Sequence, residues 1–485
     1  MIGETLRRVG IDTTPLYQFQ WTKWILILVA LGVAAYIGWN APRTFVLGRN
    51  GFEWFLVLLL FVIAMVLVFA RLELGILAIV ITSFFVRFTL PTGSNTQVPA
   101  SLLVSGFVVG AWLLSMFLKR QVRLMPAGYV MPALIFMLIS LLSVPYSWLL
   151  LRPDLFGHGG VGRSGLGFSF VQIGGVTLMI LLPLVMLMAA NVLKSEKWFH
   201  VLFGIVIAVA IPELLMRLGI ASFNFAGLAL RTGASYALWV VAMCVGQAFF
   251  NSSLKIWQRV PLLALSAIWI YYGAELGGTW FSGWMPAAVA LMFLAFFRSR
   301  KLFFLLLFVG LAIFSLRIEY YIAHIWDDAI RMDSNRFEIW QVIIFDLTLT
   351  KTNFLFGAGP AGYLPFYERY YPGNAWVSHN NYVDIFAEVG LVGFSVFLWM
   401  LFSIFKTGFG QRNEMPTPFL KAFNYSVLAG FVGTLFAMGL GDWHIPFVYN
   451  IGIPGFDFAV YGWLLTGAML ALQSLKRTPT DAPQS

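Results

Sequence analysis

Charged residues are scarce in this chain of 485 residues: they make up 11% of it, against about 25% in soluble domains. Hydrophobic residues make up 60%, and the mean hydropathy is +0.83. So few charges cannot cover a water-facing surface, which excludes an ordinary soluble protein. The formal net charge of +10 is therefore better explained by basic residues at the ends of membrane helices than by nucleic-acid binding.

Cysteine and several cofactor motifs are also missing. Cys244 is the single cysteine and lies within an apolar run, so no intramolecular disulfide can form. The chain has no GxxxxGK[ST] pattern for nucleotide phosphates and no HExxH or paired CxxC pattern for zinc. It also has no Asp-x-Asp pair of the kind that metal-dependent sugar transfer would use. We therefore expect any chemistry here to need no metal and no other cofactor.

Apolar runs long enough to cross a bilayer, about 20 residues each, recur from end to end. The fourteen predicted spans are 24–39, 53–70, 72–90, 100–118, 128–150, 173–193, 198–216, 233–250, 260–274, 283–297, 302–316, 382–405, 421–440 and 456–473. Two pairs have short connections, 53–70 with 72–90 and 260–274 with 283–297, so each pair is either two spans or one bent or re-entrant element. The prediction is an all-α polytopic membrane protein with about 12–14 transmembrane helices in a single domain, 1–485.

Basic residues are distributed unevenly between the two sides of this predicted topology. With the N-terminus inside, the inner connections carry nineteen Lys and Arg residues and the opposite short loops carry seven. This bias follows the positive-inside rule and predicts that both termini are cytoplasmic. Two outer loops stand apart: a glycine-rich loop at about 151–172, and the much longer loop 317–381, which is dense in polar residues. A connection this long between spans is usually functional.

The outer side of a cell membrane lacks ATP and nucleotide sugars, so a synthetic reaction there needs a donor with its own activated leaving group. A lipid-linked sugar pyrophosphate meets this requirement, because its leaving group is already a stable anion. Such a transfer needs fixed cations for the pyrophosphate, which Arg supplies bidentately. It also needs a base for the proton of the incoming hydroxyl, and His is suited to that near neutral pH. The long outer loop contains both residue types.

Three motifs in this loop resemble the signature of the O-antigen ligase/polymerase superfamily. They are Asn335-Arg336-x3-Trp340, Phe356-Gly357-Ala358-Gly359-Pro360, and Ser378-His379-Asn380-Asn381-Tyr382 continuing through Glu388-x-Gly390-Leu391-x-Gly393. The resemblance covers about 331–400, and a looser match extends over 228–300, where Arg231-Thr232-Gly233 is similar to the family's arginine before a buried helix. It implies a GT-C-like fold in the bacterial inner membrane, with the active site on the periplasmic face.

The resemblance also implies roles for individual residues. Arg336 and Arg231 match arginines proposed to bind the donor pyrophosphate. His379, with Gly390 eleven positions later, matches the family's His-x10-Gly and is expected to act as the base or to orient the acceptor. Two departures are visible: Trp340 stands where ligases often have Leu, and Ser282-Gly283-Trp284 lacks the arginine of the family's Ser-Arg-Gly.

Each of these residues also has a plainer interpretation. His379 would then only cap the helix that follows, Arg336 would pair with Asp333 or Glu338, and Arg231 would be an interfacial residue at the end of a span. We favour the functional interpretation for His379 and Arg336, and leave Arg231 open. Further candidates for substrate contact are Asn380, Tyr382, Asp384, Arg163 and His444.

Two other features of the motifs leave alternatives open. Asp384 and Glu388 share a helix face inside an apolar stretch, where acids are often functional. They are either solvated, paired with an arginine, or placed to orient His379. The segment GAGPAGY at 357–363 is either a cluster of turns or a set of backbone amides near a phosphate, and we favour the turns.

The expected function is an inverting, metal-free glycosyl transfer from an undecaprenyl-pyrophosphate-linked glycan to a hydroxyl acceptor. A lipid A-core acceptor would make the protein a ligase, which we favour; a growing glycan would make it a polymerase, and a protein hydroxyl an O-oligosaccharyltransferase. A second hypothesis is a transporter of lipid-linked glycan or a small anion, although no internal repeat is visible. A third is a scaffold subunit, in which His379 and Arg336 would have no chemical role.

Overall fold

The structure is a computed structural model, and it describes residues 71–86, 89–91, 97–120, 124–150, 168–221, 224–225, 228–276, 281–326, 336–371 and 377–476. The predicted spans 24–39 and 53–70 lie outside these residues. So do 151–167 of the glycine-rich loop, with Arg163, and the segments 327–335 and 372–376 of the long outer loop.

Helices account for almost all of the described elements. The α-helices are α1 Leu72–Phe85, α2 Ala100–Leu118, α3 Val130–Leu150, α4 Phe168–Val192, α5 Glu196–Arg217, α6 Tyr236–Phe250, α7 Ile256–Tyr271, α8 Phe281–Arg298, α9 Arg300–Leu316, α10 Ile318–Trp326, α11 Arg336–Gln341, α12 Leu364–Tyr370, α13 Asn381–Gly410, α14 Pro418–Ala437, α15 Val448–Ile451 and α16 Phe456–Ala471. π-Helical turns, Tyr272–Leu276 and Val342–Thr348, extend α7 and α11, and 3-10 turns, Ile453–Gly455 and Leu472–Leu475, flank α16. Two antiparallel hairpins pair β1 Thr89–Pro91 with β2 Gln97–Pro99, and β3 Asn224–Phe225 with β4 Leu228–Ala229.

Eight of the described helical segments are long and apolar enough to cross a bilayer, with mean hydropathies from 1.3 to 2.4. They correspond to α2, α3, α4, α5, α8, α13, α14 and α16, the last taken with its flanking turns. The chain is therefore an all-α, multi-pass membrane protein, as its composition predicts. Four other predicted spans coincide with the shorter helices α1, α6, α7 and α9, of 14 to 17 residues. The total of 12–14 spans and the GT-C-like fold stay predictions.

Several predicted boundaries differ from the structure: α4 begins at Phe168, within the predicted loop 151–172, and α13 continues to Gly410 rather than 405. The span expected at 72–90 is a helix only as far as Phe85, and Thr89 begins the first strand of the β1–β2 hairpin. Prolines at the strand ends suit a hairpin edge, because proline donates no hydrogen bond to a helix or a central strand. The long loop 317–381, predicted to be on the outer side, contains the helices α10, α11 and α12 among its described residues.

The centre of the bundle is α6, in which every residue from Tyr236 to Ala248 is buried. A helix that is apolar on all sides belongs inside a bundle, and α6 packs against α7, α8 and α14. Small residues permit this close approach: a Cβ added at Gly246 would lie 2.1 Å from Ser426 Oγ and 2.9 Å from Ser426 Cα on α14. Around this centre, α16 packs on α4 and α13 packs on α3, which brings the first turns of α13 beside the loops of the candidate site.

Candidate active site

A break in α13 organises the candidate site. Gly390 has φ 65° and ψ −173°, which no residue with a side chain adopts easily, and it interrupts the helix inside the apolar run. The break frees backbone groups on either side, and the loop 353–363 bonds to them. The nitrogens of Leu391 and Val392 donate to Phe354 O (2.9 Å) and Leu355 O (3.0 Å). A Cβ on Gly390 would lie 2.4 Å from the backbone of Leu355, so only glycine fits this crossing.

The glycine-rich segment 357–363 is held from the other side of the same break. Ala358 N donates to Ala387 O at 2.9 Å, and Gly359 N donates to Glu388 O at 2.8 Å. Gly357 has φ 72°, and a Cβ there would lie 2.4 Å from Glu388 O. These amides are bonded within the protein, which supports the interpretation of the segment as turns rather than as a phosphate cradle.

His379 lies two positions before α13, and Asn380, between them, is the residue that caps the helix. The Asn380 side-chain oxygen accepts hydrogen bonds from Tyr382 N at 2.9 Å and Val383 N at 3.3 Å. Capping is therefore the role of Asn380, and His379 is not needed for it. His379 is partly exposed and has φ 49°, an uncommon left-handed conformation for a residue with a side chain. Such backbone strain, worth about 1–3 kcal/mol, clusters at functional sites.

Arg336 and Trp340 connect α11 to the segment that carries His379. Arg336 is the first residue of α11, is partly buried, and donates from Nη1 to Leu440 O at 3.3 Å. Trp340 donates from Nε1 to Ser378 O at 2.7 Å, one residue before His379. Helix α11 thus carries the predicted cation and also bonds to the peptide group that precedes the predicted base. We call Arg336, Trp340, Ser378, His379 and Asn381 the outer cluster.

Asn381 joins the outer cluster to the segment Met438–Phe447. Its backbone nitrogen donates to Met438 O at 2.8 Å, its side-chain nitrogen donates to Ile445 O at 2.7 Å, and its side-chain oxygen accepts from His444 N at 3.1 Å. Arg336 bonds to the same segment through Leu440. The segment Met438–Phe447 therefore contacts both Arg336 and the start of α13.

Asp442 lies in this segment, within electrostatic reach of Arg336. Burial raises the pKa of its carboxyl, and hydrogen bonds from Phe447 N and the Asn450 side chain, together with the Arg336 charge, act against that rise. Asp442 thus supplies part of the electrostatic setting of Arg336, although the two residues lie 106 positions apart in the sequence.

Asp384 and Glu388 are buried, and each accepts hydrogen bonds from other groups of the protein. Asp384 Oδ1 accepts from the Tyr363 hydroxyl at 2.7 Å, and its Oδ2 accepts from the Tyr449 hydroxyl. Burial and the neighbouring Asp384 raise the pKa of both tyrosines, so their hydroxyls remain donors at neutral pH. Both acids therefore serve as anchors between α13 and the surrounding loops.

Glu388 is the second of these anchors, one turn further along α13. Its Oε1 accepts from Ala361 N at 2.7 Å. Its Oε2 has no hydrogen-bond partner among the residues that the structure describes. The side chain lines a cavity of about 10 Å³, which also borders Gly175 and Pro446 and has room for about one water molecule.

Tyr382 and His444, two predicted substrate contacts, are used in packing. The Tyr382 hydroxyl donates to Leu435 O at 2.7 Å on α14. His444 is 4% exposed and stacks on Trp463 with 4.1 Å between ring centroids, while Trp463 Nε1 donates to His444 O at 2.8 Å. Burial lowers the pKa of His444 to about 3, so the ring is neutral at physiological pH.

Arg231 lies at a different place from the outer cluster. Its side chain is exposed, with the guanidinium carbon 5.0 Å from the centre of the Phe458 ring near the start of α16, and its backbone nitrogen donates to Phe84 O at 3.1 Å. Thr232 is buried and donates to Glu213 Oε1 at 3.0 Å. The Arg-Thr-Gly sequence thus anchors a turn and leaves the arginine exposed. Arg163 lies outside the described residues.

Several residues of the site are ones that sequence reasoning did not select. In the sequence, Trp340 is conspicuous only as a departure from the family motif, and Asn381 is one position of the Ser-His-Asn-Asn-Tyr motif with no role of its own. Tyr363, Tyr449 and Asp442 carried no local signal, because their partners are distant in the sequence. A buried acid inside an apolar helix demands a donor, so Asp384 was the one available sign that such tyrosines should exist.

Comparison with known proteins adds no family to this description: no protein family and no curated protein matches the chain. Within the described ranges, no group of three or more His, Cys, Asp or Glu side chains is arranged to hold a metal ion. The metal-free character of the reaction stays a prediction.

Proposed function

We propose that this protein is a membrane glycosyltransferase of the O-antigen ligase type. It would move a glycan from undecaprenyl-pyrophosphate to a hydroxyl acceptor on the periplasmic face of the bacterial inner membrane. The observation that carries the proposal is the outer cluster, in which Arg336 and the segment of His379 are tied together at one end of a membrane bundle. A permanent cation, linked through α11 to the segment of a residue able to accept a proton, suits a donor that already carries its leaving group.

The reaction we propose is a single displacement. The acceptor oxygen attacks the anomeric carbon of the donor sugar, and the bond from that carbon to the pyrophosphate oxygen breaks. The hydroxyl proton passes to the His379 imidazole, and the lipid pyrophosphate leaves with the bonding electron pair. Arg336 would hold the pyrophosphate and offset the charge that develops on it. The attack comes from the side opposite the leaving group, so the anomeric configuration inverts.

The remaining candidates have distinct places in this proposal. Asn380 caps α13, Asp384 and Tyr382 hold it in place, and His444 packs beneath it, so these four would act on the site through its shape. Arg231 would be a second cation, available to the donor from its exposed position beside Phe458. Arg163 keeps its predicted role in substrate binding.

The test is glycan transfer by purified protein in detergent, supplied with lipid-pyrophosphate glycan and a panel of acceptors in the presence of EDTA. Wild type would be compared with His379→Ala, Arg336→Ala and a control, His200→Ala. In wild type, His200 lies on α5 next to Glu196, and its ring stacks on Phe419. We expect product from wild type and the control and almost none from the other two. The acceptor that works would distinguish ligase from polymerase. If His379→Ala and Arg336→Ala match wild type, the proposal is wrong.

Transport of a lipid-linked glycan or an anion is the alternative, and one observation favours it: buried acids inside a membrane helix often line a transport route. Asp384 and Glu388 are such acids. Both are bonded to neighbouring tyrosines or amides, which suits anchors better than a route. Movement of fluorescent lipid-linked glycan across proteoliposomes, without formation of any product, would favour transport instead.

A further inference from the structure

Two side chains of α11, four residues apart, reach backbone carbonyls of different segments. Residues at this spacing lie on the same face of a helix. Arg336 bonds to Leu440 O and Trp340 to Ser378 O. The second bond is the shorter, at 2.7 Å against 3.3 Å. The short helix α11 therefore links the cation to the peptide group immediately before His379.

The Ser378 carbonyl oxygen has a direct geometric relation to His379. It belongs to the same planar peptide unit as the His379 nitrogen, so holding the oxygen holds the whole plane. The direction in which His379 leaves that plane depends on its φ of 49°. The left-handed conformation is uncommon for a residue with a side chain, although histidine adopts it more often than most, so contacts with the surroundings help to hold it. The Trp340 bond is one such constraint, and the Asn380 N bond to Ser378 Oγ (3.0 Å) is another.

We propose that Trp340 is a positioning residue for His379. By its bond to the Ser378 carbonyl, the indole sets the orientation of the imidazole and its separation from Arg336. This inference rests on the proposed function, since it assigns Trp340 a task only if His379 takes part in the reaction. It also gives a role to the residue at which this chain departs from the motif it otherwise resembles.

The loss of this one bond should affect the reaction more than binding or folding. The donor would still meet Arg336, so its KM should change less than threefold, whereas a misplaced imidazole should slow proton transfer. A displacement of about 1 Å costs on the order of 10²-fold in rate. We therefore expect kcat to fall about 10- to 100-fold.

The experiment replaces Trp340 with β-(3-benzothienyl)alanine, which has nearly the shape of tryptophan but carries sulfur in place of the N–H group. The matched control is the same replacement at Trp148, whose Nε1 donates to Gln172 Oε1 at 2.6 Å on α4. Each protein would be assayed for kcat, for the KM of the lipid-pyrophosphate donor and for its thermal unfolding midpoint. Trp340→Phe would serve as a second variant that also lacks the N–H group.

A lower kcat at position 340, with donor KM and unfolding midpoint unchanged and the Trp148 control at wild-type activity, would support the inference. If the two replaced proteins have equal kcat while His379→Ala is inactive, the inference fails and the proposed function stands. If the replacement at 340 lowers the unfolding midpoint in proportion to activity, Trp340 is only structural and the inference also fails. If His379→Ala is as active as wild type, the proposed function itself falls, and the positioning role falls with it.

Discussion

Two regions of this protein hold their residues in place by different means. Around α6, apolar helices pack closely, and contacts such as Gly246 against Ser426 depend on small size and shape. In the outer cluster, position depends on single directional bonds between side chains and carbonyls of distant segments. Packing tolerates little added volume but is shared among many contacts, whereas one directional bond can be lost without unfolding the bundle. Changes near α6 should therefore affect folding, and changes in the outer cluster should affect activity.

The largest expected effect is in the outer cluster. His379→Ala should reduce glycan transfer about 10²- to 10⁴-fold, the range for loss of a general base. Its thermal unfolding midpoint should stay near that of wild type, because the helix cap belongs to Asn380. Initial rates and thermal unfolding of the same purified sample would check both parts. If the unfolding midpoint of His379→Ala is clearly lower than that of wild type, His379 contributes to packing, as the residues around α6 do.

The next effect concerns the break in α13, which combines close packing with directional backbone hydrogen bonds. Gly390→Ala should destabilise the protein by about 3 kcal/mol, because the new Cβ would meet the Leu355 backbone and the φ of 65° is unfavourable for alanine. Gly410→Ala, on the same helix, is the control, since a Cβ there meets nothing within 4 Å. Denaturation in detergent would compare the two. Equal stability of both variants would contradict the account of the break.

A third change tests the packed region alone. Gly246→Ala should cost about 2 kcal/mol, because its Cβ would lie 2.9 Å from Ser426 Cα as well as against the hydroxyl. The transfer rate per folded molecule should be unchanged. Gly110→Ala, with open space around its Cβ, is the matched control. A fall in kcat of the folded Gly246 variant would show that the two regions are coupled.

The smallest effect is the pH dependence of His444, which lies beneath the outer cluster. Its pKa is lowered to about 3 from 6.5, so between these values the unfolded chain binds a proton that the folded chain excludes. This contribution to stability is complete above pH 6.5 and declines as the pH falls. The loss amounts to about 1.4 kcal/mol at pH 5.5. His444→Phe keeps a ring on Trp463 but cannot titrate, so it should lose less stability than wild type between pH 7.5 and 5.5. Parallel losses in thermal unfolding would refute this.

Hydropathy and charge in the sequence determined that the chain is an all-α, multi-pass membrane protein. Crossing a bilayer depends on the composition of about 20 neighbouring residues, which is a local property that can be read in order along the chain. The same reading selected the acids of α13 and the polar long loop, because polar residues are conspicuous in a chain with 11% charge, whereas the resemblance of its motifs to a known family selected Arg336 and His379 within that loop. It set helix ends less well, as α1 and the helices of the long outer loop show.

Only the tertiary structure decided which of these residues meet. Asp384 bonds to Tyr449 across 65 positions, Asn381 holds the carbonyl of Ile445, and Trp340 bonds to Ser378. The structure also shows why position 390 is glycine: the loop 353–363 crosses α13 there, and a side chain would collide with it. A hydrogen bond needs its two atoms within about 3 Å and in line. No pattern of neighbouring residues encodes that condition for segments far apart in the chain, because it is met only after the helices have packed.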